Sequence, residues 1–284
     1  MTAKKRTHAS PHVHVLAMGA GVQTTTLFMM GLYGNYRKPD AVIFADLGWE
    51  PPAVYRNVAW LKHQAHLHDI PFYTIKTTPI RQAALDSPLF NPADKSARWA
   101  SMPLFSLNSH GERGMLRRQC TTDYKIRPID TFIRQEILGL AKHAKCPARS
   151  VYLWFGITTD EHKRARIAIE PWKMNTYPLL ELQMSRHDCQ VWLDQHNIHH
   201  PAKSSCTGCP YRTNVEWAWM LKHNPTAFAE ACAFDEAIRH PRGLNTKLFL
   251  HQSRVPLDTV DFSDPGNETS NTPWQTECLG YCGT

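Results

Sequence analysis

The 284-residue chain has no apolar run long enough to cross a bilayer: its longest, such as Val151-Tyr152-Leu153-Trp154-Phe155, are a few residues long, where a spanning helix needs about 20. The basic start Lys4-Lys5-Arg6 leads into His and Pro and then a glycine turn, without the apolar core of a secretion signal. These two absences exclude a helical membrane span and lead to the expectation of a cytoplasmic protein with no membrane partner. Internal repeats and low-complexity segments are missing too, which excludes solenoids and repetitive linkers. Acidic residues are in the minority, 25 against 32 Lys and Arg, giving a formal charge of +7. That balance favours anionic partners, among which nucleotides, sulfate esters and nucleic acid rank equally.

What is present is the composition of a globular chain, 42% hydrophobic and 20% charged, with length enough for a large core. Near its start, Met18-Gly19-Ala20-Gly21-Val22-Gln23-Thr24-Thr25-Thr26 follows the apolar alternation Val13, Val15, Ala17 and precedes Leu27-Phe28-Met29-Met30. The pattern predicts a buried strand, a tight turn and a helix. Two glycines let backbone approach a ligand, and hydroxyls with helix-start amides suit a phosphate or sulfate. A strand at Ala41-Val42-Ile43-Phe44-Ala45, ending at Asp46, a helix entered at Pro51-Pro52, and a strand at Phe72-Tyr73-Thr74-Ile75 follow. Strands and helices alternating at these lengths predict a Rossmann-like, mostly parallel α/β sheet flanked by helices, with ligands at the strand carboxyl ends.

Residues 77–119 lack clear periodicity and read as a long loop or lid. It ends in Arg113, Arg117, Arg118 and Cys120; apolar spacing at Ile129, Phe132, Ile133, Ile137 and Leu140 then restarts a helix. A fourth strand, Val151 to Gly156, leads into the charged turn Asp160-Glu161-His162-Lys163-Arg164-Ala165-Arg166. Helices are expected over Arg186–His196, Val215–His223 and Pro225–His240, with Trp217, Met220 and Leu221 in the core. The expected organisation is a basic, mobile stretch over 1–12, an α/β nucleotide-binding domain over 13–200, and a small helical and loop-rich region over 201–284 that carries cysteines.

Eight cysteines are many for a reducing compartment, where clustered thiols more often bind metal or do redox chemistry than form disulfides. Cys206-x-x-Cys209, bracketed by Gly208 and Pro210, has the spacing that brings two thiolates to one metal centre. Zinc accepts the same ligands as iron. Cys146, Cys189 and Cys232 read as ordinary thiols, and His63, His66 and His68 as decoration of a solvated helix.

In this order the motifs resemble the adenine nucleotide alpha hydrolase (PP-loop) superfamily, and within it the phosphoadenosine and adenosine phosphosulfate reductases. Gly19-Ala20-Gly21-Val22-Gln23-Thr24 stands where the family has Ser-Gly-Gly-x-Asp-Ser, without the leading serine and the aspartate. Asp46-Leu47-Gly48-Trp49-Glu50-Pro51, Lys125-Ile126-Arg127-Pro128-Ile129, Gly156-Ile157 with Asp160, Glu161 and Arg166, and Pro178-Leu179 resemble its later segments. The resemblance implies an adenine nucleotide, ATP or a phosphosulfate, held by Gly19, Ala20, Gly21, Gln23, Thr24, Thr25 and Gly156, with Asp46 orienting a ribose hydroxyl or Mg2+. Arg164, Arg166, Arg117, Arg118 and Lys125 would neutralise phosphate or sulfate. It also implies a 4Fe-4S cluster on Cys120, Cys206 and Cys209, because Cys120-Thr121 stands where assimilatory reductases have Cys-Cys. Cys282 or Cys278 would supply a fourth ligand, or one iron would stay open as in related thiolation enzymes. Glu277-Cys278 resembles the Glu-Cys-Gly tail of the reductases, which makes Cys278 a candidate nucleophile, with Arg118 and Lys125 as its catalytic neighbours. The implied function is a phosphosulfate reductase-like enzyme served by a thiol reductant protein. The alternatives are an ATP-dependent sulfur transferase acting on nucleic acid and a non-catalytic nucleotide-binding regulator.

Overall fold

The computed structural model describes residues 12–91 and 102–263. Along the chain run β1 (Val13–Met18), α1 (Val22–Leu32), β2 (Ala41–Asp46), α2 (Pro52–Leu67), β3 (Phe72–Lys76), α3 (Ile80–Leu85), β4 (Phe105–Asn108), β5 (Arg113–Met115), α4 (Arg127–Phe132), β6 (Val151–Trp154), β7 (Lys173–Thr176), α5 (Pro178–Glu181), α6 (Arg186–Gln195), α7 (Asn214–His223), α8 (Pro225–Ala237) and β8 (Thr246–Phe249). Five strands form a parallel sheet in the order β3-β2-β1-β6-β7. This is the Rossmann-like α/β fold expected from the alternation of apolar runs. The chain leaves β1 towards β2 and β3, then crosses back to β6 and β7, so the order reverses between β1 and β6. A crevice at the carboxyl ends is the usual result of such a reversal.

Val15 to Met18 and Ala41 to Ala45 are buried because helices cover both faces of the sheet. On one face Leu16, Phe44 and Trp154 meet Phe28, Leu61 and Leu193; on the other Val15, Ile43 and Leu153 meet Ile129 and Ile133. Helix α1 is buried along its whole length, including Gln23, Thr24, Thr25 and Thr26. Threonine is a poor helix former, so this helix is held by its surroundings: Thr26 Oγ1 donates to the Val22 carbonyl and to that of Cys189 in α6.

A second core lies under a small antiparallel sheet, β5-β4-β8, and packs Trp217, Phe228, Phe234 and Leu248 with Leu47, Trp49 and Ile80. Residues 77–119, expected as a loop, therefore carry α3, β4 and β5. Strands of four and three residues are too short for alternation to reveal. Because β4 pairs with β8, segments on both sides of the expected division at residue 200 share one sheet. Buried Asp235 pins this unit: its carboxylate accepts from the amides of Leu250 (2.6 Å) and Leu257 (3.0 Å) and pairs with Arg239. Burial pushes its carboxyl above the usual range despite those partners. Leu221, expected in the core, is instead exposed, because α7 buries the stripe Asn214, Trp217 and Met220. The helix expected from Ile129 starts earlier, since wide turns over Thr122–Ile126 and Ile133–Ile137 extend α4 at both ends. No helix among the described residues is long and apolar enough to cross a membrane.

Candidate functional site

The glycine turn joins β1 to α1 at the carboxyl edge, and Gly19, Ala20 and Gly21 are all buried. Ala20 takes φ +62°, the left-handed conformation that glycine adopts more readily. Its carbonyl accepts a hydrogen bond from Asn57 Nδ2 of α2 (2.8 Å), and the same amide donates to Thr25 Oγ1 (3.1 Å). Thr24 Oγ1 faces the Gly21 carbonyl at 3.5 Å. Both hydroxyls expected to cradle an anion are thus turned to the protein. Gly156, after β6, sits against this turn: a Cβ there would come within 2.7 Å of Thr24 Cγ2 and 2.9 Å of its nitrogen. Its place beside the glycine turn follows from close packing. Thr158 Oγ1, close by in sequence, is fully buried with no hydrogen-bond partner among the described residues, and nothing in the sequence signalled it.

Gln23, in the first turn of α1, is tied to the loop after β6. It donates to Glu161 Oε2 (3.2 Å) and accepts from Arg186 Nη1 (3.2 Å). Arg164 is ion-paired with the same Glu161. Arg166 is exposed and folds back on the Lys163 carbonyl (2.8 Å), while its backbone meets the Tyr177 hydroxyl. Asp46 Oδ1 accepts from the Gly48 amide (2.8 Å) and the Tyr55 hydroxyl (2.9 Å), closing a turn in which Gly48 has φ +68°. Burial raises the Tyr55 phenol well above its ordinary value, so it acts there as a neutral donor.

The expected metal ligands that fall in the described residues do come together. Cys120, Cys206 and Cys209 line one small cavity of about 30 Å³, with Arg118, Lys125, Thr121 and Tyr211 beside them. Leu47, Ile80, Met102 and Pro210 complete an apolar wall. Leu47 and Ile80 follow β2 and β3, so this cavity belongs to the same carboxyl edge as the glycine turn. Lys125 is buried in the wide turn Thr122–Ile126, a distortion often found at functional sites. Its Nζ lies 4.0 Å from Glu50 Oε1, also buried. Glu50 belongs to a quoted motif, yet nothing in the sequence signalled this pairing.

The Cys-x-x-Cys loop is held from several sides. Its Thr207 amide donates to the Trp49 carbonyl (2.8 Å), and a Cβ on Gly208 would lie 2.1 Å from the Trp49 ring, so only glycine fits. Arg212 donates to the carbonyls of Thr207, Ser205 and Cys206 at 3.0–3.1 Å. Buried Lys203 pairs with Glu216, whose carboxylate also receives the Thr213 amide in the capping box of α7. Next to the cysteines, Gln119 Oε1, Thr121 Oγ1, Ser204 Oγ and Ser205 Oγ are buried without hydrogen-bond partners among the described residues. Such orphans are uncommon and point to a group that completes them.

The donor set suits an iron–sulfur cluster or zinc: three thiols lining one cavity, with the orphaned Thr121 hydroxyl beside them able to donate to sulfur. Among the described residues no three His, Cys, Asp or Glu side chains already stand at the separation of ligands to one metal ion. Cys278 and Cys282, the expected nucleophile and fourth ligand, lie outside the described residues, as does nearly all of the basic start. Cys189 is buried in α6, Cys232 lies in α8, where burial lifts its thiol to about 11, and none of the six described cysteines is in a disulfide. No protein-family model matches the chain, and no curated protein matches it significantly.

Proposed function

We propose that this protein is an enzyme of the phosphoadenosine phosphosulfate reductase type, which binds an adenine nucleotide at the carboxyl edge of the parallel sheet and performs sulfur chemistry in the adjoining thiol cavity. The observation that carries this reading is the meeting of Cys120 with Cys206 and Cys209, remote in sequence, in one cavity with Arg118 and Lys125. Cys120, Cys206 and Cys209 would hold an iron–sulfur cluster, which supplies electrons or sulfur to the site; zinc is the alternative occupant. Arg118 and Lys125 would bind the sulfate or phosphate end of the nucleotide, Arg118 through a planar fork. The apolar wall would keep water from a reactive sulfur species. In the reductase version the Cys278 thiolate takes the sulfuryl group from the nucleotide, and a second thiol then releases sulfite as a disulfide forms.

A second version, ATP-dependent sulfur transfer to an acceptor, is supported by the cavity's three described cysteines, the ligand number that leaves one iron of a four-iron cluster open. Anaerobic purification with iron and sulfide analysis is the test. A brown protein with comparable iron and sulfide is expected; a colourless zinc protein sinks the cluster. Sulfite released from a phosphosulfate identifies the reductase, and AMP with pyrophosphate formed only in the presence of an acceptor identifies the transferase. Nucleotide binding with neither product identifies a regulator and overturns both.

A further inference from the structure

Helix α7 presents two unlike faces. Asn214, Trp217 and Met220 are buried, whereas Val215, Trp219 and Lys222 recur at helical spacing on the outer side. Trp219 is 50% exposed, and His223 stacks on it with ring centroids 4.9 Å apart. The stripe begins at the thiol cavity. Tyr211, just before α7, is 42% exposed, lines that cavity and carries the Arg118 guanidinium 4.9 Å over its ring. The single carboxylate of α7, Glu216, is buried in the pair with Lys203 and in the helix cap. The outer face is therefore aromatic and cationic, and it runs from the cavity mouth along one helix.

Half-exposed rings interleaved with cations suit a single nucleic-acid strand, whose bases stack on ring faces while its phosphates meet the cations. A duplex hides its base faces, and an acidic peptide would use the cations and leave the rings idle. We propose that Tyr211, Trp219 and His223, with Arg118 and Lys222, dock a single-stranded nucleic acid and lead one of its bases to the thiol cavity. The proposal rests on the transfer version of the function and names its acceptor.

Fluorescence anisotropy of labelled single-stranded DNA and RNA of mixed sequence, titrated with the full chain, tests it directly. The strand binds, and raising salt from about 50 to 200 mM weakens binding steeply. Trp219→Ala and Tyr211→Ala each weaken it about tenfold, by loss of one stacked base. Trp219→Phe retains most of the affinity. Tyr33→Ala, which removes a ring 53% exposed at the end of α1, leaves it unchanged. Absence of strand binding, equal affinity in Trp219→Ala, or equally tight binding of duplex overturns the proposal. So does loss of self-association in Trp219→Ala by sedimentation, which would make a second copy of the chain the occupant. A colourless protein that still binds strands through Trp219 rejects the cluster and leaves the docking face intact; a brown protein that forms AMP and pyrophosphate with another acceptor but ignores strands rejects the docking face alone, and one that releases sulfite rejects the transfer version with it.

Discussion

The glycine turn after β1 and the thiol cavity lie at one edge of one sheet, yet they are built in opposite ways. The turn is closed: Asn57 clasps the backbone and donates to Thr25 Oγ1, Thr24 Oγ1 faces the Gly21 carbonyl, and Gly156 packs against it from the neighbouring strand. The cavity gathers thiols, cations and the orphaned Thr121 hydroxyl from segments distant in sequence. One region offers a preformed backbone shape and the other a set of polar and thiol side chains brought together by remote loops. A site for nucleotide and a site for chemistry would divide in this way.

The division can be broken by substitution, beginning with the largest effect. Cys206→Ser is expected to lower bound metal more than about tenfold while nucleotide affinity, read by calorimetry, stays near its starting value; loss of both would erase the distinction. Glu50→Gln leaves Lys125 buried beside an uncharged amide, and urea unfolding should show a loss of about 3 kcal/mol. Gly156→Ala forces a methyl into Thr24 and should cost about 1–3 kcal/mol of stability. It should also lower nucleotide affinity without altering metal content, which sharpens the comparison from the other side.

The smallest effect concerns pH. His251 is buried, its Nε2 paired with Asn214 Oδ1 at 2.8 Å, and burial lowers its pKa below the ordinary 6.5. The unfolded chain then binds the extra proton first, so its contribution to stability is full above about pH 6.5 and is lost as pH falls towards the folded value. Midpoints of thermal unfolding between pH 7.5 and 5.5 should drop for the native chain and drop less for His251→Gln. Metal content measured alongside tells whether the small sheet and the thiol loop fail together.

The sequence was most legible where long apolar runs set the pattern. Val13 to Ala17, Ala41 to Ala45 and Val151 to Phe155 announced the central strands, because both faces of a covered parallel sheet must be apolar. It was least legible in the short elements. Lys173–Thr176 contains a lysine and an asparagine, yet forms an edge strand because Lys173 is buried against Asp130. At the site, Cys-x-x-Cys and the basic run before Cys120 signalled themselves by spacing and charge. Glu50, Arg212 and the Trp49–Gly208 contact carried no such mark, because their roles exist only after remote loops have met.

The pairing of β4 with β8 has a consequence for how the protein is made. Phe105 has its ladder partner at Phe249, so the segment bearing Met102 and Pro103 on the cavity wall cannot settle until most of the chain has left the ribosome. The parallel sheet can form earlier, from strands complete by Thr176. Long-range pairing of this kind is slow, so this wall of the cavity is among the last parts of the fold to be completed.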